Sequence, residues 1–142
     1  MTRIRALPKR GRVVVAIAGA AAISACGSPA ADLFGVVRSG SIPGANLTLV
    51  PSGDGSVTCN GHKHELPDPL LLTAENLADA LVAPATKGER LRSGPRPIYT
   101  YVVSTPSGTF SYSDDSPHQG SALYALAAWV RTVSTTVCTA RS

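Results

Sequence analysis

The sequence has no long apolar run, no acidic residue before Asp32, and few aromatic side chains: two Phe, one Trp and four Tyr. Its longest apolar stretch, Val13 to Ile23, has 11 residues, too short to cross ~30 Å of hydrocarbon as a permanent helix. It has no serine set for a nucleophile elbow. Ser39-Gly-Ser-Ile-Pro-Gly44 puts Pro43 and Gly44 where that motif needs a helix, so the segment reads as a turn. No cysteine and histidine spacing supplies the four ligands of a structural zinc site. These gaps leave no catalytic motif, and neither an enzymatic activity nor a cofactor is expected.

What is present begins at the N-terminus. Arg3, Arg5, Lys9, Arg10 and Arg12 precede the apolar run, which ends in Ile23-Ser24-Ala25-Cys26. A charged end, an apolar run and a small-residue cleavage site are the three parts of a secretory signal peptide. The ending resembles a bacterial lipobox, where a diacylglyceryl group is attached to cysteine and the peptide is cut just before it. The leader is similar to those of lipoproteins from high-GC Gram-positive bacteria. That resemblance implies a signal peptide over 1–25, lipidation at Cys26 and attachment to the extracytoplasmic face of the cell membrane. Residues 26–32 then form a tether; Gly27 to Asp32 is small and polar and reaches at most ~20 Å. The remainder, 33–142, is read as one domain. It resembles small actinobacterial envelope proteins, a likeness that implies no activity.

The leader also distorts the charge balance. The whole chain carries +4, but five of its 13 basic residues precede Cys26 and all nine acidic residues follow it. The remaining eight basic and nine acidic residues amount to −1, so the folded part lacks the basic excess that nucleic-acid binding needs. With Cys26 lipidated, Cys59 and Cys138 remain, and an even pair in an oxidising compartment reads as one disulfide. The alternative is two buried thiols.

The mature chain reads as two hairpins, a leading strand and two helices. Leu33 to Val37 is the leading strand. Leu47 and Leu49 alternate with Thr48, Pro51 to Gly55 turns the chain, and Val57 and Cys59 alternate with Thr58. Tyr99 to Ser104 and Thr109 to Ser113 flank the turn Thr105-Pro106-Ser107-Gly108. Asp68 reads as an N-cap with Pro69 at the first helical position; Leu70, Ala74, Leu77 and Leu81 follow at helical spacing, and Pro84 stops the run. The last helix is expected from Ser121 as cap, with an apolar stripe of Leu123, Leu126, Ala127, Val130, Val133 and Val137, flanked by Tyr124 and Trp129. Its Thr135-Thr136 end is expected to fray unless a disulfide holds it. The expected fold is α+β: an antiparallel sheet of two hairpins plus a leading strand, with two helices packed on one face and one disulfide.

Four groups are candidates for chemistry. His62-Lys63-His64-Glu65 has two histidines pointing the same way if extended, with Glu65 or Asp68 as oxygen donors, but it reads as a solvated loop and no metal is assigned. Asp114-Asp115 reads as a turn whose charge favours the N-terminus of the last helix. The irregular stretch 83–97 carries Lys87, Arg90, Arg92 and Arg96 against Glu89 alone. Those cations are the expected contact for a partner, an envelope protein or an anionic polymer or lipid. Tyr99, Tyr101, Phe110 and Tyr112 either line a ligand face or pack the sheet. The expected function is a lipid-anchored, non-enzymatic envelope lipoprotein with a binding or structural role. The alternative is a secreted inhibitor. Val57-Thr58-Cys59 followed by His62 and Pro67 resembles the subtilisin-inhibitor family, although the family's second disulfide is missing.

Overall fold

The structure is a computed structural model that describes residues 30–140. The leader, Cys26 and most of the tether lie outside the described residues. Nine elements follow in order: β1 (Gly35–Gly40), β2 (Leu47–Ser52), β3 (Ser56–Cys59), β4 (His62–Glu65), α1 (Asp68–Ala80), α2 (Val82–Lys87), β5 (Tyr99–Thr105), β6 (Gly108–Ser113) and α3 (Ser121–Thr136). The six strands form one antiparallel sheet in the order β4-β3-β2-β1-β5-β6. The leading strand is therefore central, and the two expected hairpins lie on either side of it.

Period-2 alternation gives the sheet one apolar face. Val36, Leu47, Leu49, Val57, Cys59, Tyr101, Val103, Phe110 and Tyr112 are all buried there. The helices close that face with Ala74, Leu77 and Leu81 from the first rod and Leu123, Leu126, Val130, Val133 and Val137 from the last. The expected α+β architecture is the one observed. The Cys59–Cys138 disulfide is present, with Cα atoms 5.7 Å apart, and it fastens the end of α3 to β3.

Several local expectations change. His62–Glu65 is not a loop but the edge strand β4, with Cys59 opposite His62 and Val57 opposite His64. The cause is visible in the chain: Asn60 and Gly61 both have positive φ (47° and 85°), as a two-residue type I′ hairpin turn requires, and Asn-Gly is its strongest signal. The polarity of His-Lys-His-Glu hid the strand because an edge needs no apolar alternation.

The first helix starts one residue earlier than expected: Pro67 is the N-cap, and Asp68 lies in the first turn. Pro84 does not end the helical run. The chain bends at Leu81 and continues as α2, where Pro84 sits in the first turn and needs no N–H partner. The real stop is Gly88, left-handed at φ 60°. Its N–H donates to Ala85 O, and Glu89 N–H donates to Pro84 O, the paired bonds of a Schellman ending. Gly108 allows α2 to pack this closely, since a Cβ there would overlap the Ala85 carbonyl oxygen.

α3 is capped by Gly120, not by Ser121. Trp129 does not flank the apolar stripe but belongs to it, at 3% exposure. Its ring meets Phe34 edge-on at 5.5 Å, and its Nε1–H donates to Leu70 O at 3.0 Å, joining α3 to α1. The threonine-rich end stays helical to Thr136, its hydroxyls donating to the carbonyls of Arg131 and Thr132.

The disulfide spans 79 residues, and the chain-entropy account assigns such a closure about 4–5 kcal/mol. Urea unfolding with and without a thiol reductant checks this. The reduced protein is expected to unfold at lower urea with a steeper dependence, because its unfolded chain is less compact.

Candidate functional site

The basic stretch is ordered by the sheet edge it covers. Lys87 ends α2, and the chain then runs beside β6. Ser111 N–H donates to Glu89 O at 2.9 Å, and Leu91 N–H donates to Ser111 O at 3.0 Å. Arg90 thus forms a short parallel bridge with Ser111. An outer strand with unpaired amides is a template for unwanted pairing, and this strap covers it.

Two carboxylates hold the rest of the strap. Asp115 Oδ1 accepts from Gly94 N–H at 2.9 Å and its Oδ2 from Arg96 N–H at 2.7 Å. Asp114 Oδ1 accepts from the Ile98 and Tyr99 amides at 3.0 and 3.2 Å. The expected role of this pair at the N-terminus of α3 is therefore replaced by backbone capping of residues 94–99. Burial works against ionisation of Asp115, but hydrogen bonds from Ser113, Arg96 and Gly94 together outweigh it and hold its pKa below the usual carboxylate range. Gln119 stiffens the support, its amide donating to the carbonyls of Ser113, Asp114 and Ser116.

All four expected partner residues, Lys87, Arg90, Arg92 and Arg96, are exposed on this strap. Gly88 lies beside Thr109 at one end of β6, and Arg96 is fixed by Asp115 just past the other end. Six residues of strand separate them, roughly 20 Å. The cations thus form a row along the edge. Glu89 is 3.8 Å from Lys87, an exposed pair that contributes little.

The remaining candidates resolve differently. A cavity of about 560 Å³ lies between β3, β4 and the start of α1 and includes Asp54, Lys63, Glu65 and Asp68. Its central charges satisfy each other: Lys63 Nζ donates to Asp54 at 2.8 Å. That bond, together with those from Ser56, lowers the Asp54 pKa to about 2. His62 and His64 share one side of β4 while Glu65 falls on the other by alternation. Among the described residues no three histidine, cysteine or acidic side chains gather as a metal site. The aromatic group is mostly core. Tyr101 stacks on Tyr112 at 4.9 Å, and buried Tyr112 donates its hydroxyl to Leu123 O; burial pushes its pKa well above the ordinary tyrosine value. Thr58 and Cys59 lie on β3, His62 on β4 and Pro67 at the start of α1.

Sequence reasoning missed Arg38. It lies on β1 two residues after Val36, in the inward phase, directly opposite Leu47 and Tyr101 on the flanking strands. That phase was the available signal. Arg38 is 8% exposed; its Nε donates to Ala45 O at 2.8 Å and its Nη2 to Gly44 O at 3.3 Å. The guanidinium sits 4.8 Å above the Tyr99 ring. Beside it opens a cavity of about 490 Å³, with Arg131 and Thr135 of α3 on the other wall.

No known protein family, curated protein or solved structure matches the chain.

Gly94→Ala tests the strap, because a Cβ there would overlap the Asp115 main-chain oxygen and press on its carboxylate. Asp115→Ala removes the acceptor itself. Each is expected to lower hydrogen-exchange protection of the Arg96 amide by roughly an order of magnitude, with the β1 and β5 amides unchanged. Both Asp54 and Asp115 titrate below the usual range when folded. Their contributions are therefore complete above about pH 4 and lost on acidification, for Asp54 as pH falls through about 2. Strap protection measured against pH is expected to fall only below about pH 4.

Proposed function

We propose that the protein is a lipid-anchored lipoprotein of the cell envelope with a non-enzymatic binding role, and that its basic strap holds an anionic envelope polymer. The anchoring half is supported by the leader and by Ile23-Ser24-Ala25-Cys26. The binding half is carried by one observation: four exposed cations set in a row on a strap that Asp114 and Asp115 keep ordered. Side chains on a preordered backbone lose less entropy when they bind.

The row favours a polymer over the membrane surface. The chain enters the sheet at Asp32, which bridges Ser52, and β1 begins opposite Ser104. That is the Lys87 end of β6; Arg96 is at the far end. A domain hanging from Cys26 by a short tether would hold Arg96 roughly 20 Å farther from the lipid than Lys87, well beyond the ~8 Å over which physiological salt screens charge. A linear polyanion can follow the whole row.

Two measurements test this reading. The intact mass of membrane-extracted protein is expected to match Cys26 to Ser142 plus lipid, less two hydrogens for the disulfide. An unmodified Cys26 removes the anchoring half. Exposed, screened cations contribute about 0.5–1 kcal/mol each. Replacing Lys87, Arg90, Arg92 and Arg96 with Gln is therefore expected to weaken binding to a polyphosphate or teichoic-type polymer by roughly thirtyfold or more. Rising salt should remove most of the difference between the two proteins. Equal affinity of both at low salt sinks the binding half.

A further inference from the structure

Burying a charged side chain is costly unless something compensates it, and Arg is almost never fully buried unpaired. Arg38 is nine-tenths buried, yet among the described residues no carboxylate forms an ion pair with it. The carbonyls of Ala45 and Gly44 take its Nε–H and one Nη2–H, and the Tyr99 face lies against the guanidinium. A guanidinium has five N–H donors, so three are left over. Every side-chain polar atom sealed from solvent in the described residues has a partner. The unbonded Nη1 edge of Arg38 is therefore not sealed, and Arg38 is one of the residues that line the 490 Å³ cavity.

The cavity walls add donors of the same kind. Arg131 is exposed on α3 and lines the cavity. Asn60 spends its Oδ1 on the Thr48 amide at 2.8 Å, which leaves its NH₂ group as the free end. Ser134 and Thr135 donate their hydroxyl protons to the Arg131 carbonyl, so the donors on this wall are Arg131 and Asn60. None of the ten lining residues is acidic. Asp114, just after β6, is occupied by the amides of Ile98 and Tyr99. Arg38 and Arg131 line the same cavity, so two cations share it.

We propose that this cavity is a binding site for a terminal oxyanion, a carboxylate or phosphate group on a small molecule, held by the free edge of Arg38 and by Arg131. The planar fork of Arg suits two parallel bonds to such a group. The volume lies in the range of small-molecule sites, large enough for the anion to carry an attached body. The site lies at the Gly40 end of β1, away from the point where the chain enters the sheet, and it shares no residue with the strap. It stands independently of the polymer reading.

The test is a nitrogen-15 NMR titration of the full chain in non-ionic maltoside micelles. Inorganic phosphate and acetate are added in separate arms, each at constant ionic strength against sodium chloride. Saturable shifts are expected at the Arg38 Nε–H, the Asn60 side-chain amide and the Thr135 and Cys138 amides. Saturation by phosphate alone assigns the phosphate class, and by acetate alone the carboxylate class. Arg131→Gln changes an exposed helix residue and should leave the remaining spectrum intact while weakening binding tenfold or more. Arg38→Lys keeps the charge and loses the fork, with a comparable loss expected. Shifts that stay linear to tens of millimolar in both arms and match those of chloride overturn the proposal. So does an Arg131→Gln protein that binds like the parent chain. The strap cations are untouched in these variants, so such a failure leaves the polymer reading standing.

Discussion

The ladder between β1 and β5 is the pairing on which the rest of the structure depends. It joins Gly35 to Ser104 at one end and Gly40 to Tyr99 at the other, across the whole of the intervening segment 41–98. Without it the β1–β4 strands and the β5–β6 hairpin are separate sheets, and the two-stranded hairpin is too small to be stable alone. With it, one continuous face exists for the helices to cover. The crossover through α1 and α2 then carries the chain from the β4 edge to β5 over that face, and α3 fills the remaining half. Pairing of this kind is slow to form because loop closure precedes its reward. The Cys59–Cys138 bond acts on the same problem from the other side, tying the last helix to the third strand.

Charge is used sparingly and mostly to hold backbone. Asp114 and Asp115 together accept from four main-chain amides, and Arg38 donates to two carbonyls in the turn after β1. These are charge-assisted bonds, shorter and stronger than neutral ones. They order segments in which only Leu91 and Ala45 pack inward, and the cations on the strap inherit that order. Of the basic residues described, Lys63 pairs closely with Asp54 and Lys87 loosely with Glu89, while Arg90, Arg92, Arg96 and Arg131 are exposed with no acidic partner among the described residues. A domain with almost no net charge thereby presents two separate positive features.

Much of the fold was legible in the chain. Alternating Leu47, Leu49, Val57 and Cys59 and the turn at Thr105 to Gly108 predict their hairpins, and helical spacing of Leu70, Ala74, Leu77 and Leu81 predicts α1. The Asn60-Gly61 turn was equally legible and was missed because the strand after it is polar. Pro84 misled because proline is tolerated in a first turn, and nothing local shows that a new helix starts at Val82. Of the candidate residues, the strap cations could be found by composition. Their arrangement as a row could not, because it depends on Ser111 and Asp115, residues more than ten positions away.

The sequence alone determined the period of each element, the charge asymmetry between residues 1–25 and the rest, and hence the α+β class. Those properties are local or additive, so reading along the chain recovers them. Only the tertiary structure decided that β1 is central, that the 88–98 segment is a strap and not a free loop, and that Arg38 opens onto a cavity facing Arg131. Each of these is a relation between residues far apart in sequence, set by which faces must be buried together. No local propensity encodes that. The chain specifies it only through the packing of the whole.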